Sequence, residues 1–419
     1  MKRLRYFLPL FLAAFTTLAI MSGLASEDTL EIFGNANMDD TINADDEIYV
    51  QGIISGTNKP TEFADANYDG TVDEKDIEQI RQIIVGEEKN LTIMQIITPH
   101  SAPSATREPV TVSLPIESIA ALTGTYGPEM LCALGEEDKI VAIVSDVKKR
   151  GELRAFINDT PEVGKTTEWD MEKILTLKPD IVLAYAIYDY SKEREILQDA
   201  GIPLVQLNFH VPETYKNETR KLGWMLNKKD RVEQLIDFEQ EHIDFIRDRV
   251  KDLKEEEKPR VFGESYKDLQ TGSGNSVSRA IEPCGGINIF KEINDTKEID
   301  PEEVLKKNPQ VIIKMTFLTY VPQSGYNAVN DSQMAAKVKD IMNRPGWENI
   351  DAVMNSRVYI LSSDAASLHP SVFNSYVAKW LHPELFEDMD PVAIHNEWLQ
   401  KFLGEDFKGV YGYPLLDVK

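Results

Sequence analysis

The residues best placed to do chemistry lie between positions 65 and 76. Oxygen-bearing side chains recur there at every second position: Asp65, Asn67 and Asp69, then Gly70 and Thr71, with Asp76 closing the loop. A hard cation such as calcium takes six to eight oxygen ligands. This spacing offers side chains from loop positions 1, 3, 5 and 12, a backbone carbonyl at 7, and a glycine at 6 for the sharp turn. The pattern recurs 30 residues earlier as Asn35, Asn37, Asp39, Thr41 and Asp46. Two Ca2+ sites are therefore expected, the first weaker because a neutral Asn35 opens it. Asp40 stands where glycine belongs and is expected to take the left-handed turn at some cost. After the second loop, Ile77, Ile80, Ile83 and Ile84 recur at helical spacing, so each loop leads into a helix with an apolar face.

Composition narrows the field. The chain has 419 residues and a formal charge of −25. Between Glu27 and Asn90, 17 acids stand against 4 bases, so about half the charge excess sits in the loop region. Such an acid excess argues against a nucleic-acid partner, which needs a basic face. Two cysteines exclude a disulfide framework and any multi-cysteine metal centre, and six scattered histidines give no clustered ligand spacing. Lys2, Arg3 and Arg5 precede an apolar run and the small residues Gly23 and Ala25, which reads as a secretory signal over 1–26. The alternative is an uncleaved anchor, since about 20 apolar residues span a bilayer. Either places the chain outside the cell, secreted or on the outer face of the cytoplasmic membrane.

Beyond residue 90 the pattern changes. Residues 91–97 and 109–114 read as a hairpin. Apolar runs at 116–123, 139–145, 180–186 and 203–209 then alternate with helical segments at 128–135, 171–178 and 191–201. The alternation returns at 260–265, 278–286, 301–308, 310–316 and 357–363, and a helical tail follows. Strand and helix in this order imply parallel sheets covered on both faces. Between the two runs, residues 213–257 carry apolar positions at steps of three and four. This predicts a helix pair, the second member running from about Lys229 to Glu256 and reaching about 42 Å. The expected class is α/β: two Rossmann-like lobes joined by a single long rigid helix, preceded by a small all-α paired-loop module. The boundaries read 27–88 for that module, 91–228 for the first lobe, 229–258 for the helix and 259–419 for the second lobe. Cys132 and Cys284 fall in helices of opposite lobes and read as small buried residues.

An echo links the lobes. WDMEKILTLKPDIVLA (169–184) and IDPEEVLKKNPQVIIK (299–314) share an acid, a glutamate two residues on, an apolar helix, a proline and an apolar strand. Glu172 and Glu302 occupy the first helical turn, where the dipole favours a carboxylate.

Two resemblances follow. Residues 33–86 resemble a type I dockerin, a tandem of F-hand calcium loops, which implies calcium-dependent tethering to a cohesin-type partner. Residues 91–419 resemble substrate-binding proteins of the iron-complex and cobalamin family of ABC importers. That likeness is carried by ALGEEDKIVAIVSD (133–146), WDMEKILTLKPDIVLAY (169–185), IEPCGGINIF (281–290), PEEVLKKNPQVII (301–313) and RPGWENIDAVMNSRVYIL (344–361). It implies that Glu172 and Glu302, one per lobe, dock on an ABC permease, which would also be the route to the membrane unless the signal stays uncleaved.

Ligands of wound parallel sheets sit past the carboxyl ends of the strands. The candidates there are Tyr126, Trp169, Tyr185, Tyr188 and His210 from the first lobe, and Tyr266, Arg279, Tyr320 and His369 from the second. Trp169 and Tyr185 resemble cobalamin-stacking positions of the family. Aromatic walls with one or two cations suit a flat metal chelate of iron-siderophore, haem or corrinoid type. The expected function is non-catalytic capture and delivery of such a chelate, with little lobe closure because of the long helix. The alternatives are a binder of a metal oxyanion such as molybdate or tungstate, a dockerin-borne extracellular enzyme acting on polysaccharide, and a pure adhesion protein.

Overall fold

The computed structural model describes residues 29–99, 104–209, 211–272, 275–294, 296–365 and 369–414. The signal reading at 1–26 lies outside them, as does His210. Among the described residues no helix is long and apolar enough to cross a membrane.

Two sheets carry the fold. In the first lobe the strand order is Ile140–Ile143, Ile119–Ala121, Ile181–Tyr185, Leu204–Leu207, all parallel. In the second it is Ile287–Asn288, Arg260–Glu264, Val311–Thr316, Val358–Ser362, again parallel, with Gly412–Tyr413 added antiparallel at the edge. In chain order both sheets read second, first, third, fourth strand, so the lobes repeat one topology. Their third strands are buried along their whole length, as strands of a parallel sheet covered on both faces are; Ile181–Tyr185 contains no charged residue, and Val311–Thr316 buries Lys314 within it. The repeat extends to the helix before each third strand. Met171–Leu177 starts at Asp170, whose side chain accepts from Lys173 N; Pro301–Lys307 starts at Asp300, which accepts from Glu302 N. Each ends on a left-handed residue, Lys178 or Asn308, followed by proline. The early strand is shorter than the apolar run 116–123, and the helix expected over 278–286 is instead Ser276–Ile281. Cys284 therefore lies in the turn behind that helix; both cysteines are buried and free.

The long helix joins the lobes as expected but ends earlier, at Lys229–Val250. Its 22 residues reach about 33 Å. Val232, Leu235, Ile236 and Phe238 enter the first-lobe core, and Ile246 and Val250 enter the second. It is not the single tie. The C-terminal helix Pro391–Phe402 returns from the second lobe and buries Trp398, Leu399 and Phe402 in the first-lobe core.

The N-terminal module is welded on. Its helices Ala44–Ser55 and Glu74–Val85 share the first-lobe core through Val50, Ile77, Ile80 and Ile83. It is not purely helical: Ile32 bridges antiparallel to Ile93 in the hairpin Asn90–Ile97/Thr106–Ser113. Beneath it, Lys221 is fully buried and its Nζ lies 2.9 Å from both Glu31 and Glu218. Arg107 reaches Glu31 at 2.6 Å. Burial pulls the Lys221 ammonium down, but the two carboxylates outweigh it and hold it above the ordinary lysine range.

Candidate functional site

The loops past the carboxyl ends of both sheets face each other across a cleft of about 390 Å³. That size falls in the range of small-molecule sites. The first lobe lines it with Thr125, Lys149, Arg150, Tyr185 and Tyr188, and the second with Phe317, Thr319 and Asp364.

One wall is a chain of rings. Tyr126 meets Tyr185 edge-on at 5.8 Å, Tyr185 meets Tyr188 at 6.0 Å, and Tyr188 meets Tyr190 at 6.0 Å. Tyr190 in turn stacks on Trp169 at 4.3 Å. Burial holds the Tyr126 and Tyr185 phenols well above the usual range, so both stay neutral. The opposite wall is a cluster in which Tyr266 stacks on Tyr320 at 5.9 Å and both meet Phe317 edge-on at 5.0 Å. Tyr320 is 45% and Tyr266 37% exposed, so that wall keeps open ring surface.

The floor carries charge. Arg150, buried, pairs with Glu129 at 3.3 Å, with Glu152, and across the lobes with Asp364 at 3.9 Å. Burial alone would pull its pKa down; the three carboxylates reverse that and keep the guanidinium charged. Lys149 is paired with Asp146 at 2.6 Å. Both cations lining the cleft are thus already matched by carboxylates. The lobes also touch directly: Asn327 Nδ2 donates to Lys149 O at 2.8 Å. Gly151 permits that approach, since a Cβ there would meet Asn327 Oδ1 at 2.1 Å.

Of the sequence candidates, Tyr185 and Tyr188 line the cleft; Tyr126 and Trp169 extend their ring chain behind the lining, and Tyr266 and Tyr320 pack on Phe317, which lines it from the second lobe. Arg279 does not join them; it lines a separate pocket with Pro212, Glu213, Pro370 and Phe373. His369 is 1% exposed and sits behind the floor, its Nε2 3.4 Å from Glu129 and its ring 4.5 Å from Trp398, so packing and not ligand contact explains it. Arg150, Phe317 and Asp364 were missed. Their one sequence signal is position, each following the carboxyl end of a strand, and the run Lys148-Lys149-Arg150 reads as ordinary surface charge.

Glu172 and Glu302 are exposed on separate lobes, each in the first turn of the corresponding helix. Glu303 beside the latter is paired with Lys306 at 2.7 Å.

The two acidic loops match in outline. Each leads into a helix through a capping box, Asn43 with Asp46 and Asp73 with Asp76, and each turns through a left-handed residue, Met38 or Tyr68. Asp40, expected in the left-handed turn, is not among the positive-φ residues, whereas Gly70 is at +90°. Among the described residues no group of three His, Cys, Asp or Glu side chains converges as a metal site. The loops instead mix carboxylates, Asn oxygens and carbonyls. In the second loop Asp65 accepts from Asp69 N and Gly70 N at 3.1 and 2.8 Å, and Asp69 pairs with Lys75 at 3.2 Å. In the first, Asn35 and Asp46 are fully buried; burial lifts the Asp46 carboxyl to about 6. Asn35 Oδ1 has no hydrogen-bond partner there, which fits an oxygen-seeking cation.

The family model for the periplasmic binding protein matches residues 119–365. The molybdate-binding protein MolA of Haemophilus influenzae is 26% identical over 306 residues, covering 64% of this chain and 81% of that protein. A vitamin B12-binding protein of Vibrio cholerae is 27% identical over 265 residues, covering 59% of this chain and 90% of that one. Among solved structures, a TroA-like periplasmic binding protein, FepB from Veillonella parvula, superposes with a TM-score of 0.62 at 24% identity, covering 76% of this chain and 98% of that one.

Proposed function

Because the chain belongs to the periplasmic binding protein family, we propose that it is the extracellular solute-binding component of an ABC importer and carries a flat metal chelate of iron-siderophore, haem or corrinoid type. The single observation that carries this reading is the aromatic lining of one cleft from both lobes, Tyr185 and Tyr188 on one side and Phe317 on the other, backed by Tyr126 in the first lobe and by Tyr266 and Tyr320 in the second. Such walls stack on a conjugated ring, and the neutral phenols add hydrogen bonds at its rim. The similarity to the molybdate-binding protein raises the oxyanion alternative. The charge of the floor weighs against it, since Arg150 and Lys149 already face Glu129, Glu152, Asp364 and Asp146. A small dianion would have to displace those carboxylates.

Delivery runs through Glu172 and Glu302, one knob per lobe, to paired cations on the permease. The polysaccharide-hydrolase alternative needs two carboxyl groups about 5–9 Å apart across one bond, whereas the carboxylates at the cleft floor, Glu129, Glu152 and Asp364, are engaged with Arg150. In the N-terminal module, Asn35, Asn37, Asp39, Thr41 and Asp46, and Asp65, Asn67, Asp69, Thr71 and Asp76, would hold calcium. The ion would supply charge neutralisation and rigidity, for docking on a cohesin-type partner.

Titration of intrinsic tryptophan and tyrosine fluorescence with cyanocobalamin, haemin, a ferric catecholate and molybdate tests the cargo. Saturable quenching by one of the chelates and none by molybdate is expected; saturation by molybdate alone overturns the reading.

A further inference from the structure

The first acidic loop faces the protein, and the second faces solvent. Segment Thr29–Glu31 runs along the first loop: Leu30 N donates to Asp39 O at 2.8 Å, Thr29 Oγ1 to Met38 O at 3.0 Å, and Asn35 Nδ2 to Leu30 O at 2.7 Å. The other side of that segment is held by one face of helix Tyr215–Met225, where Asn217, Arg220 and Lys221 recur at three- and four-residue steps. Asn217 Nδ2 donates to Thr29 O at 2.7 Å, and Lys221 meets Glu31 at 2.9 Å. Arg220 lies 3.4 Å from Asp40 of the loop itself, and it also grips Glu233 near the start of the long helix at 2.8 and 2.9 Å. Asp40, the residue that breaks the glycine rule, thus has a use: it pairs with the first lobe. The second loop has glycine at that position, and its Tyr68 is 47% exposed.

Inside the first loop, Asn35 spends its Nδ2 on Leu30 O and Asp39 O, at 2.7 and 2.6 Å, and leaves a fully buried Oδ1 without a partner. A buried acceptor in that state is costly unless something fills it. Asp46, Asp39 and Asn37 supply the other oxygens of the loop.

We propose that Asn35–Asp46 is an inward-facing site for a hard divalent cation of calcium type, whose filling clamps the N-terminal module onto helix Tyr215–Met225 and so onto the root of the inter-lobe helix. The cation neutralises Asp39 and Asp46, and the fixed loop fixes Thr29–Glu31, whose Glu31 anchors the buried Lys221. By linkage, a ligand that binds the clamped state and not the open one slows opening by a factor of one plus its concentration over Kd. The inference rests on the calcium reading of this loop under the proposed function, and adds that the ion acts on the cargo-binding lobe.

Hydrogen exchange on the full chain, with calcium or with EGTA, tests it, alongside calorimetric titration with calcium chloride. With calcium at ten times its Kd, opening of residues 215–225 should slow by about tenfold. Asp46→Asn should remove that protection, Asp76→Asn should keep it, and Arg220→Ala should bind calcium with the protection reduced. Should Asp46→Asn fail to fold, Asn37→Ala serves in its place. Calcium binding with unchanged exchange at 215–225, or protection lost only in Asp76→Asn, overturns the clamp and leaves the calcium loops standing. No calorimetric calcium binding overturns both.

Discussion

The two lobes share a strand order, a helix entering the third strand, a left-handed exit before proline and one exposed glutamate, yet they bury charge differently. In the first lobe Lys221 is sealed between Glu31 and Glu218, and Glu31 comes from the N-terminal module. In the second, Lys314 is also buried, but it faces Glu264 at 3.4 Å and a half-exposed Asp268 at 3.0 Å, and burial wins, holding its ammonium below the ordinary range. Arg344 shares the same Glu264 at 2.8 Å. One topology thus serves two purposes. The first lobe uses its buried cation to attach another module, whereas the second uses its own inside a local network with a spare partner.

The largest effect should come from breaking that asymmetry. Lys221→Met leaves the buried Glu218 without its cation, while Arg107 still holds Glu31, and should cost about 3–5 kcal/mol in urea unfolding. Lys314→Met should cost less than half as much, because Arg344 remains on Glu264. Adding Glu218→Gln to Lys221→Met should restore most of the loss.

Next comes the junction between the lobes. Glu239 of the long helix accepts from Ser371 N at 2.8 Å in the second lobe, and burial holds its carboxyl up at about 7 against an ordinary 4.5, with His369 pulling the other way. A carboxyl raised on folding stays protonated in the folded chain after the unfolded chain has lost its proton. Stability from this group is therefore whole below about pH 4.5 and declines as pH rises through about 7, by roughly 3 kcal/mol in all. Glu239→Gln should flatten that slope. Its melting temperature should match the parent at pH 5 and exceed it at pH 8.

Glu172 and Glu302 test equivalence directly. If each lobe presents one knob, Glu172→Ala and Glu302→Ala should each lower cellular uptake of the chelate by about thirtyfold, the loss of about 2 kcal/mol at an interface hot spot, with solution affinity unchanged. A large effect from one lobe alone would break the symmetry. The smallest effect concerns the walls: Tyr188→Ala and Tyr320→Ala should each weaken chelate binding by about 1 kcal/mol in fluorescence titration.

Much of this was legible in the chain. Short apolar runs such as 180–186, and 310–316 with its one Lys314, fit strands buried on both faces because of their length and the proline before each, and the repeated Glu-to-Pro segment marked the two lobes. The end of the long helix was not legible. Nothing in 251–257 forbids a helix by propensity, but three glutamates at 255–257 sit badly at a helix C-terminus, and the Glu257 carboxylate instead caps Lys254 N at 2.8 Å and opens a new turn. The return of Pro391–Phe402 to the first lobe was hidden because periodicity shows an apolar face and not what covers it. Arg150 was hidden for a related reason: only packing against Glu129, Glu152 and Asp364 distinguishes it from its basic neighbours. His369 misled in the opposite sense, since its place after a strand suggested the cleft while its ring packs on Trp398.

A cargo held between the lobes would touch rings of both. Hydroxyl-radical footprinting of the full chain with cyanocobalamin, haemin or a ferric catecholate, whichever saturates the fluorescence, tests it directly. Joint protection of Tyr188 on the first wall and Tyr266 and Tyr320 on the second is the predicted result. Protection confined to one lobe, or falling instead around Arg279, would rule out a cargo held between the lobes.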